Sequence, residues 1–400
     1  MNRSSSSSAP PQPSPPPALA GGAAGETIAL TRGVPAPEVL PGADLAACFA
    51  AAVERDPTGV LQYGQPAGYL PLRRLLAGQY GVDESQVFVT NGSLQLMDLL
   101  AGHLLTPGAS VIVERPSYDR AIGAYRRRGA RVVGVALQED GIDLQALEAE
   151  LRRQVPAFLY LIPDFQNPAG ITLSLDKRRR LLDLAARHEF WVVEDVPYRL
   201  LRYQGTALPT LREIDHPGAA RVLTMSSHSK LVAPALRVGH LVAPAPLVAA
   251  LARLGEDTYL SPVLPTQAVL HEYLRQGRLE PNVAHLKATY APRCQAMIDA
   301  VRRHLPGVPF APPEGGFFLG LTLPEGARTD GLLERAQASG LLLSDGRAFF
   351  APRPASAAGA DAPDGAPSDR EAERFIRLPF CALTPEQIEE GVRRLGALVA

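Results

Sequence analysis

Short apolar runs rich in β-branched residues alternate along this chain with longer stretches whose apolar residues recur at helical spacing. The runs that we predict as strands are residues 86–90, 110–114, 131–135, 157–162, 191–195, 221–225 and 239–242. Residues 94–104 and 175–188 are predicted to be helices. This alternation predicts an α/β fold with a mainly parallel sheet between flanking helices. Because ligands bind such sheets beyond the carboxyl ends of the strands, polar residues just after a strand are candidates for the functional site.

Two tracts of biased composition interrupt this pattern. Residues 1 to about 25 are mainly Ser, Pro, Gly and Ala, and a similar tract runs from about residue 352 to 371. Neither carries enough apolar surface to offset the entropy lost on ordering. We expect a disordered tail and a solvated loop.

Composition and charge exclude several classes of function. The chain has 400 residues, a formal net charge of -1 and 46% hydrophobic residues. Because charges of both signs are interspersed, no basic face for nucleic acid is expected. The three cysteines, Cys48, Cys294 and Cys381, have no spacing typical of disulfides or zinc sites. Without a long apolar run or a signal peptide, we expect a soluble cytoplasmic enzyme with no metal and no membrane partner.

Polar residues follow two of the predicted strands in an arrangement that suits an anionic ligand. Asn91-Gly92-Ser93-Leu94 follows the first strand and leads into a helix, whose first N–H groups can bind a phosphate. Tyr118 follows the second strand and can stack on a flat ring. Taken singly, a helix cap and a core tyrosine are the better interpretations of these two features.

The next strand ends add an amide, a carboxylate and cations. Asn167 lies in an irregular loop rich in Pro and Gly, and Asp195 ends an apolar strand, where a carboxylate needs a cationic partner. That partner can be a protonated pyridine nitrogen or an arginine. Lys230 follows the strand at 221–225, with Arg237 nearby, and desolvation beside a cation lowers the pKa of a lysine, as a nucleophilic amine requires. Each of these groups, taken alone, has a structural explanation. Their combination is the set that one kind of cofactor chemistry requires.

From about Thr31 onward, the chain resembles the fold-type I pyridoxal-phosphate (PLP) enzymes, and within them the class I/II aminotransferases. The segments that carry this resemblance are Arg32-Gly33-Val34-Pro35, Tyr63-Gly64-Gln65-Pro66-Ala67-Gly68, Thr90-Asn91-Gly92-Ser93, Gln166-Asn167-Pro168-Ala169-Gly170, Glu194-Asp195-Val196-Pro197-Tyr198, Ser227-His228-Ser229-Lys230 with Pro234 and Arg237, Gly315-Gly316-Phe317-Phe318, and Arg377-Leu378-Pro379-Phe380. The resemblance implies a seven-stranded, mainly parallel sheet and a smaller α+β domain. It places the PLP-binding domain at 61–275 and the small domain at 276–400, with residues 26–60 packing against the small domain.

The resemblance also implies a role for each matched residue. Lys230 would bind the cofactor covalently and, once displaced by substrate, move the proton between the substrate α-carbon and cofactor C4'. Asp195 would keep the pyridine nitrogen protonated. Asn167 and Tyr198 would form hydrogen bonds to the phenolic oxygen of the cofactor, and Tyr118 would stack on its ring. The phosphate would be bound by Ser93, the Leu94 amide, Ser227 and Arg237.

The substrate and the quaternary structure follow from the same resemblance. Arg377 would bind the substrate α-carboxylate, with Gly33 and Asn167 beside the substrate. Tyr63 would reach the phosphate from the second subunit of a homodimer with shared active sites. The region around Arg32-Gly33 resembles the subgroup that uses aminoadipate, aromatic or branched-chain amino acids with 2-oxoglutarate. The implied activity is transfer of the amino group of an L-α-amino acid to a 2-oxo acid by a ping-pong mechanism.

Two alternatives share part of this pattern. A PLP enzyme of the same fold that decarboxylates, eliminates or replaces a side chain would have the same constellation. A ligand-sensing regulator with an aminotransferase-like domain is a second alternative, but the residues before Thr31 contain no helical periodicity or basic cluster typical of a DNA-binding domain. The sequence departs from the family pattern at His228, where an aromatic residue is usual, at Val196, which is frequently Asp, and in the length of the tract that precedes Arg377.

Overall fold

The computed structural model describes residues 27–215, 220–354 and 370–400. The predicted tail at 1–25 lies outside the described residues, as does most of the predicted loop at 352–371. In chain order the strands are β1 (Ile28–Leu30), β2 (Val87–Thr90), β3 (Ser110–Arg115), β4 (Arg131–Gln138), β5 (Gly141–Ile142), β6 (Phe158–Leu161), β7 (Trp191–Asp195), β8 (Val222–Ser227), β9 (Gly239–Val242), β10 (Phe318–Thr322), β11 (Leu341–Leu343) and β12 (Phe375–Pro379). All seven strands predicted from the apolar runs are present, with ends displaced by up to three residues.

The helices are α1 (Gly42–Arg55), α2 (Pro57–Leu61), α3 (Leu70–Tyr80), α4 (Ser93–Leu104), α5 (Asp119–Arg127), α6 (Leu144–Leu151), α7 (Leu175–His188), α8 (Ala245–Tyr259), α9 (Leu264–Arg275), α10 (Leu279–His304), α11 (Leu332–Ala338), α12 (Arg370–Arg374) and α13 (Pro385–Val399). Several begin at side chains that accept a bond from the first turn, which satisfies one of its free N–H groups. Ser174 caps α7 in this way, and Thr384 and Gln387 form a capping box at the start of α13.

The central sheet has the order β2-β9-β8-β7-β6-β3-β4-β5. Strand β9 runs antiparallel to both of its neighbours, and the pairs from β8 to β4 are parallel. The predicted mainly parallel sheet is confirmed, and the structure adds a two-residue strand, β5, antiparallel at one edge. Successive residues of a strand face opposite layers of helices. On β3, for example, Val111 and Val113 pack in one core cluster and Ile112 packs in the other.

A separate apolar cluster lies among the C-terminal elements. It contains residues of β10 and β12, which pair antiparallel, and of α10, α11 and α13. Strand β1 joins this cluster by pairing with β11, whereas Cys48 and Ala52 of α1 pack in the cluster of the central sheet. The first half of the long helix α10 packs with the sheet and its second half with the C-terminal cluster. This packing supports, as a proposal, a PLP-binding domain at 61–275 and a small domain at 276–400. The described residues 27–60 contribute to both clusters.

Candidate active site

A cavity of about 320 Å³ opens beyond the carboxyl ends of the parallel strands. It lies where β6, β7 and β8 end and where β10 and β12 of the C-terminal cluster approach the sheet. Every site residue predicted from the sequence lines this cavity except Tyr63: these are Gly33, Ser93, Leu94, Tyr118, Asn167, Asp195, Tyr198, Ser227, Lys230, Arg237 and Arg377. The folded chain therefore brings together residues that are up to 344 positions apart, from Gly33 to Arg377.

The carboxylate of Asp195 is held at the end of β7 with one oxygen bonded and the other unpartnered. Tyr160, on the neighbouring strand β6, donates a hydrogen bond of 2.9 Å to Oδ2. The other oxygen, Oδ1, is buried and has no partner among the described residues. Desolvation by burial raises the pKa of Asp195 to about 7, although the bond from Tyr160 acts to lower that pKa.

An unpartnered buried carboxylate oxygen fits the protonated ring nitrogen of PLP. A buried acceptor without a partner is costly, and a cationic N–H group would remove that cost. The residues of the cavity thus suit the cofactor at its ring end.

Lys230 lies in the turn after β8, and its amine is partly buried at the wall of the cavity. Nζ donates a hydrogen bond of 2.7 Å to the carbonyl oxygen of Gly33. Burial lowers the pKa of Lys230, and the charges of Arg377 and Arg237 act in the same direction. A larger fraction of this amine is therefore unprotonated, which is the form that attacks a carbonyl carbon or accepts a proton.

A cradle for an anion is formed at the start of α4, by Gly92 and Ser93, and at the start of β9, by Arg237 and Gly239. Gly92 has φ +94°, and a Cβ atom there would lie 2.3 Å from Nη2 of Arg237, so the guanidinium rests directly on this glycine. A Cβ atom on Gly239 would lie 2.5 Å from the amide nitrogen of Ser93. Together with the first N–H groups of α4, this cation suits the phosphate of PLP. Ser227 lines the same end of the cavity, where its Oγ is 3.0 Å from the Oγ of Ser229.

Arg377 projects from β12 at the opposite end of the cavity. Its Nη2 donates to the carbonyl oxygen of Thr31 at 2.5 Å and to Oγ of Ser344 at 3.3 Å, and its Nη1 donates to Oδ1 of Asn167 at 3.2 Å. The guanidinium lies between the rings of Phe318 and Phe349, with 5.0 and 4.5 Å to their centroids. Nε is buried without a partner in the described parts of the chain. Three of the five N–H groups are thus engaged, which fixes the planar fork in place and leaves Nε–H and one N–H of Nη1 for an incoming carboxylate.

Asn167 is positioned by the loop between β6 and α7. Gln166 fixes that loop, because its Nε2 donates to Glu114 at 3.1 Å and its Oε1 accepts from the amide of Ala169 at 2.8 Å. Arg377 occupies the acceptor end of the Asn167 amide, so the donor end is the one that can serve a ligand. Tyr198 is buried on the same wall, and desolvation raises its pKa well above the ordinary value, which keeps its hydroxyl protonated and able to donate.

Tyr118 and Tyr63 occupy different environments. Tyr118 lines the cavity, and desolvation raises its pKa to about 12. Tyr63 lies outside the cavity with 76% of its surface exposed. The single chain therefore does not bring Tyr63 to the other predicted residues.

Several residues of the site were missed in the sequence. Tyr160 was predicted to lie in a strand but had no role assigned to it, and Ser344, Phe318 and Phe349 were not linked to Arg377. A signal for Tyr160 existed, because the hydroxyl of a tyrosine within an apolar strand needs a partner, and Asp195 ends the neighbouring strand. No local signal marks Thr31, since its contribution is a backbone carbonyl.

Comparison with known proteins assigns this fold and site to a class. The sequence model of the family described as aminotransferase class I and II matches residues 38–395. The chain belongs to this family, and it is a PLP-dependent enzyme that transfers the amino group of an L-α-amino acid to a 2-oxo acid.

Two relatives match nearly the whole chain. The 2-aminoadipate transaminase of Thermus thermophilus is 36% identical over 369 residues, which are 91% of this chain and 88% of the relative. The aromatic-amino-acid aminotransferase 1 of Thermococcus litoralis is 32% identical, with 94% and 88% of the two chains covered.

Solved structures agree with these relatives. The α-aminoadipate aminotransferase of Thermus thermophilus, in complex with N-(5'-phosphopyridoxyl)-L-leucine, superposes with a TM-score of 0.84 at 35% identity, over 93% of this chain and 92% of that chain. The kynurenine aminotransferase of Pyrococcus horikoshii gives a TM-score of 0.84 at 31% identity, over 94% and 91%.

Proposed function

We propose that Lys230 is the catalytic lysine of this aminotransferase and that Asp195, at the same cavity, binds the cofactor ring nitrogen. The observation that carries this proposal is the pairing of a lysine of lowered pKa with a buried carboxylate oxygen that has no other partner among the described residues. When bound, PLP supplies an electron-accepting ring that makes the substrate α-hydrogen acidic. The Lys230 amine would accept that proton from the substrate α-carbon and return it.

The other cavity residues hold the cofactor and orient the substrate. We assign the phosphate to Ser93, the Leu94 amide, Ser227 and Arg237, because they surround the start of α4. Asn167 and Tyr198 provide donors for the phenolic oxygen, and Tyr118 provides a face for the ring. Arg377 binds the α-carboxylate beside Gly33, which directs the α-hydrogen toward Lys230.

Covalent attachment of the cofactor tests the central assignment. Wild-type enzyme and Lys230→Ala are loaded with PLP, reduced with borohydride, digested and analysed by mass spectrometry. We expect the phosphopyridoxyl mass on the peptide that contains Lys230 and no stable adduct in the variant, together with loss of transamination. An adduct on a different lysine in the wild-type enzyme would refute the assignment.

We further propose a homodimer in which Tyr63 contacts the phosphate bound by the partner subunit. The support is a group of exposed apolar side chains. Some lie near Tyr63 in the chain, and others lie on a second loop that is hydrogen-bonded to the Tyr63 loop. On the second loop, Leu260 and Val263 are 52% and 49% exposed. The two loops are linked because the amide of Gly64 donates to Ser261 at 3.2 Å. Covering this surface with a second copy would remove it from water.

Subunit mixing tests whether the active sites are shared. Lys230→Ala and Tyr63→Ala are each expected to have low activity as homodimers. If Tyr63 acts across the interface, mixing and refolding them together creates one intact site in each mixed dimer, and activity rises. Unchanged activity in mixtures that sedimentation shows to be dimeric would place Tyr63 in its own subunit's site or in neither.

The relatives support an amino donor of the aminoadipate or aromatic type, used in amino-acid metabolism with a 2-oxo acid acceptor. A panel of amino donors, each added alone, tests this: a donor that is used converts the enzyme to its amino-carrying form, which is detected by absorbance. A lyase given the same donors would not accumulate that form.

We also propose a cytoplasmic location. Cys48, Cys294 and Cys381 are free and buried, as is usual in a reducing compartment. No helix in the described ranges is long and apolar enough to cross a membrane.

A further inference from the structure

We propose that Glu114 is a positioning residue of the reaction, which acts through Gln166 to set where the Asn167 amide meets the cofactor. The inference rests on the proposed function, because it takes Asn167 as a donor to the phenolic oxygen of PLP. It adds a residue that does not itself line the cavity.

The carboxyl of Glu114 is buried near the end of β3 without a counter-ion. Only 2% of the residue is exposed, and no cation pairs with its carboxyl within the described ranges. Burial raises the pKa of Glu114 to about 8, although hydrogen bonds from Ile162 and Gln166 act to lower that pKa. At neutral pH this group is therefore mainly a neutral carboxyl. Its burial is costly unless it forms hydrogen bonds that the fold needs.

One oxygen of this carboxyl holds the loop after β6 at two points. Oε2 of Glu114 accepts from the backbone amide of Ile162 and from Nε2 of Gln166, each at 3.1 Å. Ile162 is the first residue after β6, and Gln166 directly precedes Asn167. The end of β3 thus fixes the loop that carries Asn167.

The side chain of Gln166 has a single orientation because all of its polar groups are engaged. Its Nε2 also donates to the carbonyl of Pro116 at 2.9 Å, and its Oε1 accepts from the amide of Ala169 at 2.8 Å. Both amide hydrogens and the amide oxygen are therefore used, in a residue that is 1% exposed. Gln166 connects the position of Glu114 to the backbone on both sides of Asn167.

This loop contacts the groups that bind the cofactor and the substrate. Oδ1 of Asn167 accepts from Nη1 of Arg377 at 3.2 Å. The carbonyl of Ala169 accepts from the amide of Gly320 on β10, also at 3.2 Å. A shift of the loop would therefore displace the donor to the phenolic oxygen and disturb the arginine that binds the α-carboxylate.

The pH titration of the lysine-bound cofactor, followed by absorbance without substrate, tests the proposal. A donor to the phenolic oxygen favours its anionic form, so a displaced donor raises the pH midpoint of the absorbance change. Glu114→Leu should raise this midpoint by about one pH unit, which corresponds to part of a charge-assisted hydrogen bond. Glu114→Gln should titrate like wild type, because it keeps the acceptor oxygen and carries no charge at any pH.

A double-mutant cycle shows whether the effect passes through Asn167. Asn167→Ala alone removes the donor and should raise the midpoint more than Glu114→Leu does. In the Asn167→Ala background, Glu114→Leu should add almost nothing, since no donor is left to displace. Gln166→Met breaks the same link while the acid stays in place, and it should shift the midpoint in the same direction. Additive shifts in the cycle would overturn the proposed route.

Glu194→Leu is the matched control, because Glu194 is a second buried glutamate near the end of a strand. Its carboxylate accepts from the amides of Leu211 and Arg212 at 2.8 and 3.1 Å and from Thr224 at 2.7 Å. None of these three partners lines the active-site cavity. The substitution should lower Tm of the cofactor-free enzyme about as much as Glu114→Leu and leave the midpoint unchanged. Equal midpoint shifts in the two leucine variants would overturn the proposal, because lost stability alone would then account for them.

The outcomes separate this inference from the proposed function. An unchanged midpoint in Asn167→Ala would refute the proposed contact between Asn167 and the cofactor, and the inference with it. If Asn167→Ala shifts the midpoint and Glu114→Leu does not, only the role of Glu114 is overturned. The same holds if Glu114→Gln shifts the midpoint as much as Glu114→Leu.

Discussion

Tyr160 and Asp195 form a buried hydrogen bond across the neighbouring strands β6 and β7, with 2.9 Å between the tyrosine oxygen and Oδ2. The bond decides which carboxylate oxygen is available to a ligand, because it occupies one and leaves Oδ1 for the cavity. It also stabilises the ionised form of a carboxylate whose burial raises its pKa to about 7. Tyr160 is thus a positioning residue for the proposed partner of the cofactor nitrogen.

Replacing this tyrosine should weaken cofactor binding without removing it. In Tyr160→Phe the carboxylate loses its donor, which is worth about 1–3 kcal/mol for a buried charged group, so the pKa of Asp195 should rise further. We expect a higher Kd for PLP, most evident below neutral pH, where more of the carboxyl is protonated. Titration of cofactor-free enzyme, followed by absorbance across pH 6–9, measures this.

Tyr125→Phe is the control for that substitution. Its ring is buried 5.8 Å from that of Tyr160, so the change is chemically the same at a neighbouring site. Equal Kd values for the two variants would show that the hydrogen bond to Asp195 does not matter.

Burial of Asp195 also predicts how the stability of the cofactor-free enzyme depends on pH. The folded-state pKa of about 7 is above the ordinary value of 3.8, so between these values the unfolded chain releases a proton that the folded chain retains. Stability should therefore fall as pH rises from about 4 to 7 relative to Asp195→Asn, which cannot ionise. Denaturant unfolding of both proteins across this range measures the difference, and parallel curves would contradict the raised pKa.

Burial of His228 predicts that stability depends on pH in the opposite direction. Its ring is buried 5.5 Å from that of His240, and desolvation lowers the pKa of His228 to about 4. Below its ordinary pKa of 6.5 the unfolded chain gains a proton that the folded chain does not, so this residue should reduce stability as pH falls from 6.5 to 4. His228→Phe removes the effect and should gain Tm relative to wild type over that range. A constant difference in Tm would argue against a neutral buried imidazole.

The contact of Gly33 with Phe318 predicts that even a methyl group at this position disturbs the site. Gly33→Ala should shift the segment, because Cβ would meet the ring at 2.2 Å, and displace the carbonyl that accepts from Lys230. We expect kcat/KM to fall by about tenfold or more, since small displacements of reacting groups are costly. Gly78→Ala on α3, where nothing in the described ranges lies within 4 Å of the new Cβ, should keep wild-type activity.

Arg237 is predicted to contribute to cofactor affinity through the phosphate. Arg237→Gln should raise the Kd for PLP by about tenfold to a hundredfold, because a charge-assisted contact is lost. Arg180→Gln, which removes an exposed arginine of α7 away from the cavity, is the control. If pyridoxal without phosphate loses affinity to the same extent in Arg237→Gln, the arginine does not act on the phosphate.

The sequence by itself determined seven strands of the central sheet, which are β2, β3, β4, β6, β7, β8 and β9, and the helices α4 and α7, because hydrophobic periodicity can be read locally along the chain. It also determined that Lys230, Asp195 and Asn167 lie at one edge, since the carboxyl ends of parallel strands meet there. Only the tertiary structure decided how these groups are partnered. These partners include Tyr160 for Asp195, the Thr31 carbonyl for Arg377 and the Gly33 carbonyl for Lys230. Each contact depends on the distance between segments that are separated in the chain. Such contacts leave no periodic signal, because they are fixed by the pairing of strands within the sheet and by the packing of the C-terminal elements against it.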